Sequence, residues 1–140
     1  MVNFMKKAEL FIPGTPVAKG RPKFGKYGHG YTPQKTREYE AYVRSYYKEN
    51  CNIMFDGAIK ITLTFYMPIP KSTSNKKKAQ MALNEIKHIK RPDTDNMVKG
   101  ITDAINGIAY KDDSQITTIY ANKRYGELPG TELKIIEDID

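Results

Sequence analysis

Apolar and polar side chains alternate without a break from Ala58 to Met67, with Ile59, Ile61, Leu63, Phe65 and Met67 on one side and Lys60, Thr62, Thr64 and Tyr66 on the other. A period of two belongs to a strand with one buried face. A shorter apolar run, Ala8 to Ile12, predicts a second strand, which Pro13-Gly14-Thr15-Pro16 must end because proline lacks a ladder donor and glycine accepts a tight turn. Two further alternating runs lie at Gln115–Tyr125 and Thr131–Ile136, and the intervening Gly126–Gly130 predicts that they form a hairpin.

Elsewhere the period is helical. Thr32 offers an N-cap oxygen and Pro33 suits a first helical position, so a helix is expected from there to Asn50, with Tyr39, Tyr42, Val43, Tyr46 and Tyr47 on one apolar-aromatic face. A short helix capped by Ser72, Thr73 or Ser74 should run through Lys76-Lys77-Lys78 to Leu83, followed by an extended basic approach from Lys87 to Pro92. A third helix is expected over Asn96–Asn106, with Asp95 as its N-cap, Met97, Ile101, Ala104 and Ile105 as its apolar stripe, and Gly107 as its stop. About four strands and three helices describe an α+β fold, and 140 residues suit a single domain spanning 1–140.

Several classes drop out at once. No apolar run approaches the roughly 20 residues of a bilayer span, and the run after Lys6-Lys7 is too short and too soon broken by Pro13 to serve as a signal peptide, so the protein is expected to stay inside the cell, in the cytoplasm, without membrane contact. Cys51 is the sole cysteine, which excludes an internal disulfide and a structural zinc site and reads as a buried thiol. His29 and His88 stand apart from the acids and are assigned neither as base nor as ligand.

Charge changes the picture more than composition does. Residues 1–50 carry ten basic and four acidic side chains and residues 51–92 carry eight and two, a surplus of +12, whereas the remainder is −5, giving +7 in all. A basic chain of this kind suits a polyanionic partner. Within it, residues 93–113 hold Asp93, Asp95, Asp103, Asp112 and Asp113 against Lys99 and Lys111, a cluster that repels itself unless cations neutralise it.

Asp93 and Asp95 lie two residues apart, so on an extended segment they project to the same side, and paired oxygen ligands on rigid backbone suit Mg²⁺ or Mn²⁺. Asp112 or Asp113, just before another strand, could complete a three-carboxylate site able to polarise a phosphate and activate water. Asp95, Lys99 and Asp103 follow at intervals of four on one helical face, which sets Lys99 where it could neutralise charge developing on a phosphate. Taken singly, each feature has a plainer use: Asp95 as a cap, Asp95 to Lys99 as an intrahelical pair, Asp112-Asp113 as a polar turn. A capped helix needs neither Asp93 nor a second acidic pair, and the combination points to a metal site.

The stretch Arg91-Pro-Asp-Thr-Asp-Asn-Met-Val-Lys-Gly-Ile-Thr-Asp-Ala-Ile-Asn-Gly, followed by Asp112-Asp113-Ser-Gln-Ile, resembles the RusA family of crossover-junction endodeoxyribonucleases. Ile12-Pro13-Gly14-Thr15-Pro16 with Lys19, Arg21 and Pro22 resembles that family's N-terminal strand and basic loop, so the likeness covers most of the chain. The resemblance implies a single domain with a small mixed β-sheet packed by helices, and a homodimer. It also implies a nuclease dependent on Mg²⁺, or Mn²⁺, with no nucleotide cofactor, which resolves four-way DNA junctions by paired nicks in recombination and repair. It further implies Asp93, Asp95 and Asp113 as metal carboxylates, with Asp112 as the alternative to Asp113, and Lys99 as the catalytic lysine.

Lys19, Arg21, Lys23 and Lys26 lie on the glycine-rich loop of residues 17–31, expected to be mobile, and are suited to gripping phosphates. Lys90 and Arg91, beside Asp93, are expected to reach the scissile region, whereas Lys76, Lys77 and Lys78 read as a solvated face. The rival readings are a flap or other branched-DNA nuclease and a DNA-binding protein without catalysis.

Overall fold

A computed structural model describes residues 5–21, 23–26, 28 and 30–140. In chain order it contains β1 (Lys7–Pro13), β2 (Lys23–Phe24), β3 (Gly30–Tyr31), α1 (Gln34–Asn50), β4 (Ile59–Pro68), α2 (Asn75–Ala82), α3 (Thr94–Ala104), a 3₁₀ turn (Asp113–Gln115), β5 (Ile116–Gly126) and β6 (Gly130–Glu137). Strand β4 is the alternating run, and its five apolar positions are all buried. Together with Leu133 and Ile135 of β6 and Ala8 and Ile12 of β1 they form one wall of the core. The other wall is Val43 and Tyr47 of α1 with Met97, Ile101 and Ala104 of α3. Burying each large aliphatic side chain contributes roughly 1.5–3 kcal/mol, and the two helices pack their apolar stripes on this one sheet face.

The sheet is mixed, in the order β1-β6-β4-β5. Strand β4 pairs antiparallel with β6 and parallel with β5. The expected hairpin between β5 and β6 is therefore not formed, because β4 lies between them. Gly126 pairs with Pro68 and Gly130 with Tyr66, so residues 127–129 step over the end of β4. A Cβ on Gly126 would stand 2.8 Å from the Tyr66 side chain, and one on Gly130 would stand 2.3 Å from the Phe11 ring. The two glycines that suggested a tight turn instead let the chain pass close to two aromatic rings.

Other boundaries shift for local reasons. Helix α1 starts at Gln34 with Pro33 in the cap position and no side-chain cap bond, so Thr32 does not serve as the cap. Of its aromatic face Val43 and Tyr47 are buried, whereas Tyr42 is exposed and donates to the Pro13 carbonyl at 2.6 Å. Ser74 caps α2, accepting from the Lys77 amide. Cys51 is half-buried rather than fully enclosed. The loop expected to be mobile contains the β2–β3 pair, and its first residues are fastened down, as described below. No helix among the described residues is long and apolar enough to cross a membrane.

Candidate active site

Helix α3 begins at Thr94, not Asn96, and ends at Ala104. Asp93 occupies its N-cap with extended backbone, and Asp95 lies inside its first turn. The two acids thus straddle the helix start and do not share an extended segment. An amphipathic sequence explains the helix: Met97, Ile101 and Ala104 are buried, and Asp95 and Lys99 are exposed. The Asp93 side chain makes no capping bond. Both acids lie where unpaired amides and the helix dipole favour negative charge.

The approach to α3 is held by a residue that the sequence did not single out. Lys123 of β5 donates from Nζ to the carbonyls of Lys90 at 2.6 Å and Pro92 at 2.9 Å. Lys123 pairs in register with Phe65, which places it on the helix side of the sheet. Past this anchor a cleft of about 440 Å³ opens, lined by Ala18, Arg21, Arg91, Pro92, Asp93 and Asn96. Two of the expected phosphate contacts and one expected carboxylate therefore meet in one concavity. Lys26 and Lys90 are exposed, and the Lys23 side chain and His29 lie outside the described residues.

The second acidic pair is divided by local structure. Asp112 caps the 3₁₀ turn, accepting from the Ser114 amide at 3.1 Å, and Gln115 completes a capping box by accepting from the amides of Asp112 at 3.0 Å and Lys111 at 2.8 Å. Hydrogen bonds from Ser114, side chain and backbone, hold the Asp112 carboxyl below the usual carboxylate range. Gln115 also donates to the carbonyls of Phe55 and Gly57, which fixes the turn against the core. Asp113, exposed, is left without such a role. The buried Tyr110 hydroxyl, donating to the Thr102 carbonyl at 2.5 Å, has its pKa raised first by burial and then by the charges of Asp113 and Asp103. The Tyr110–Thr102 bond ties the segment that leads to Asp113 to the C-terminal half of α3, whereas Asp93 stands at its N-terminal end.

Lys99 and Asp103 pair at 3.8 Å along α3, as their spacing requires. Lys19 does not point outward: its ammonium meets Glu40 of α1 at 2.5 Å and Asp103 at 3.3 Å. Burial works to lower its pKa, and the hydrogen bonds to Glu40 and Asp103 outweigh that and raise it. Glu40 carried no signal in the sequence, since it lies far from the motif and meets it only through the fold.

Oxygen donors at Asp93, Asp95 and Asp113 suit a hard divalent cation by type. Among the described residues no three acidic, histidine or cysteine side chains converge closely enough to hold an ion.

A family model for Endodeoxyribonuclease RusA matches residues 13–136. The chain belongs to the RusA endodeoxyribonuclease family. It is also 37% identical over 133 residues to the uncharacterized protein YqaN of Bacillus subtilis (strain 168), an alignment covering 90% of this chain and 93% of that one.

Proposed function

We propose that this protein is a structure-selective endodeoxyribonuclease that resolves four-way DNA junctions by paired, divalent-metal-dependent nicks. The observation that carries this reading is the cleft in which Arg21 and Arg91 flank Asp93, two phosphate-binding cations beside an acid at a helix start. Asp93, Asp95 and Asp113 are the oxygen donors that would supply ligands to Mg²⁺ or Mn²⁺ if they were drawn together on the ion, which would then polarise the phosphate and activate water. The chain's own residues do the rest. Arg91 and Arg21 fix the phosphodiester, and Lys99, exposed one turn along α3 from Asp95, neutralises charge that develops on the phosphate oxygens. Lys26 extends the basic track along the duplex arms, and Lys90, next to Arg91, adds to it near the scissile phosphate.

Paired nicks call for two sites, and a two-fold homodimer matches the symmetry of a four-way junction. Light scattering of the purified protein at working concentration tests the dimer directly.

The nuclease reading is tested by offering a synthetic four-way junction, a flap, linear duplex and RNA in Mg²⁺, in Mn²⁺ and in EDTA. Cleavage of the junction above the others, abolished by EDTA, is expected. Equal cleavage of flap and junction would move the assignment to a general branched-DNA nuclease. Junction binding with no cleavage in either metal would make the protein a non-catalytic DNA binder.

A further inference from the structure

The basic loop and the acidic helix meet at Lys19. Its backbone amide donates to the Asn96 carbonyl at 2.9 Å, and Gly100 lets the loop come this close, since a Cβ there would stand 3.2 Å from the Val17 carbonyl oxygen and 3.6 Å from the Lys19 nitrogen. The next residue is fastened to the other helix, because the Gly20 amide donates to Thr36 Oγ1 at 2.9 Å. The Lys19 side chain then bridges Glu40 and Asp103, with all three charged side chains less than a quarter exposed. Lys99, by contrast, is 63% exposed and touches the same Asp103 oxygen, Oδ2, at 3.8 Å.

Two lysines thus share one carboxylate, one held inside and one at the surface. We propose that Lys19 is a positioning residue: its ammonium neutralises Asp103 and locks the root of the DNA-binding loop onto α3, leaving Lys99 free to turn to a phosphate. The part of this concerning Lys99 rests on the nuclease reading; the inward orientation of Lys19 does not. Among the described residues, an Asp103 stripped of Lys19 keeps Lys99 as its ion-pair partner, and it would draw Lys99 back along the helix. The charges that face the bridge are Glu40 from α1 and Asp103 and Lys99 from α3.

The test separates an inward lysine from a phosphate contact by salt. A lysine on a phosphate contributes about one to the slope of log binding constant against log salt concentration. Lys19→Met should leave the junction-binding slope, measured in Ca²⁺ or EDTA, unchanged, while Arg21→Met should reduce it. In cleavage assays Lys19→Met should lower kcat about tenfold with little change in KM, a smaller loss than the roughly 10²–10³ for removing an electrostatic donor outright. The decisive variant is the double substitution Lys19→Met with Asp103→Asn. It should recover most of the lost kcat, since the uncompensated acid is gone, and such non-additivity is the mark of direct coupling. Lys19→Arg, which keeps the charge and can meet two carboxylates at once, should stay close to wild type.

A slope reduced by one in Lys19→Met, or a double variant no faster than the single one, would overturn the proposal. Should the wild-type protein cut no DNA, the nuclease reading fails by itself. The binding slope then still reports which way the side chain faces, and the amide-exchange protection of Lys19 whether the loop root stays bonded to α3.

Discussion

Two short elements begin with an aspartate at the N-cap, and they use it differently. At the 3₁₀ turn before β5, Asp112 spends its carboxylate on the Ser114 amide, and Gln115 closes the box behind it. At α3, Asp93 holds the same position with the same extended backbone, yet its side chain accepts no cap bond and lines a cleft with Arg21 and Arg91. One acid is engaged by the fold and the other is left without a cap bond at the edge of a cleft. The contrast also sorts the pair Asp112-Asp113, which sequence could not divide: the capping residue is committed, and its neighbour is available.

The comparison breaks most sharply in cleavage assays. Asp93→Asn removes a charge and keeps the shape, so cleavage should fall by about 10³-fold or more, the equivalent of several kcal/mol of lost charge stabilisation, with junction binding retained. Asp112→Asn should cut nearly as well as wild type, since asparagine caps as effectively as aspartate. Single-turnover rates on one junction substrate compare the two, and equal losses would mean that both caps face the chemistry. Asp113→Asn should behave like Asp93→Asn; if Asp112→Asn does so in its place, the two acids of the second pair exchange roles.

Lys99→Met comes next, with a loss of about 10²–10³ in kcat and an unchanged melting temperature, because the side chain is largely exposed and its single pair with Asp103 is long. A drop in stability to match the drop in rate would assign Lys99 to the fold.

How far these residues could be read in advance depended on whether their partners are local. The β4 alternation, the Ser74 cap and the apolar stripe of α3 follow from spacing within one element, and each stands where its residues put it. Asp95 is a good cap in isolation, which sets the expected start of α3 two residues late; the cap that forms is Asp93, and its approach is tied at Lys90 and Pro92 to Lys123, 31 residues beyond Pro92. The hairpin expectation failed for a similar reason. Gly126 and Gly130 signal a close approach, and only the insertion of β4 decides that the approach is to Tyr66 and Phe11 rather than between partners in a turn. Lys19 is the clearest case, since nothing in a glycine-rich basic loop announces that one of its four cations faces Glu40 and Asp103.

A smaller effect probes the structural half of the contrast. Gln115→Leu would free the amides of Lys111 and Asp112 and the carbonyls of Phe55 and Gly57 together. Most of these groups regain water, so the expected loss is about 1–2 kcal/mol in denaturant unfolding. Cleavage should fall with it, because the turn that presents Asp113 is then no longer tied to the core; full activity at reduced stability would mean that Asp113 needs no such support.

The smallest effect concerns acid. The bonds from Ser114 depress the Asp112 pKa in the folded protein, so the group contributes stability above its unfolded value of about 3.9 and loses it as pH falls through the folded value. Asp112→Asn retains a cap without a titrating group. Its melting temperature should equal that of wild type near neutral pH and decline less steeply below about pH 4. Asp112→Ala, lacking the acceptor, should instead be less stable at neutral pH and converge with wild type in acid. Parallel curves for wild type and Asp112→Asn would show that the carboxylate's charge adds nothing to the cap, and the distinction between a committed Asp112 and an available Asp93 would then rest on cleavage alone.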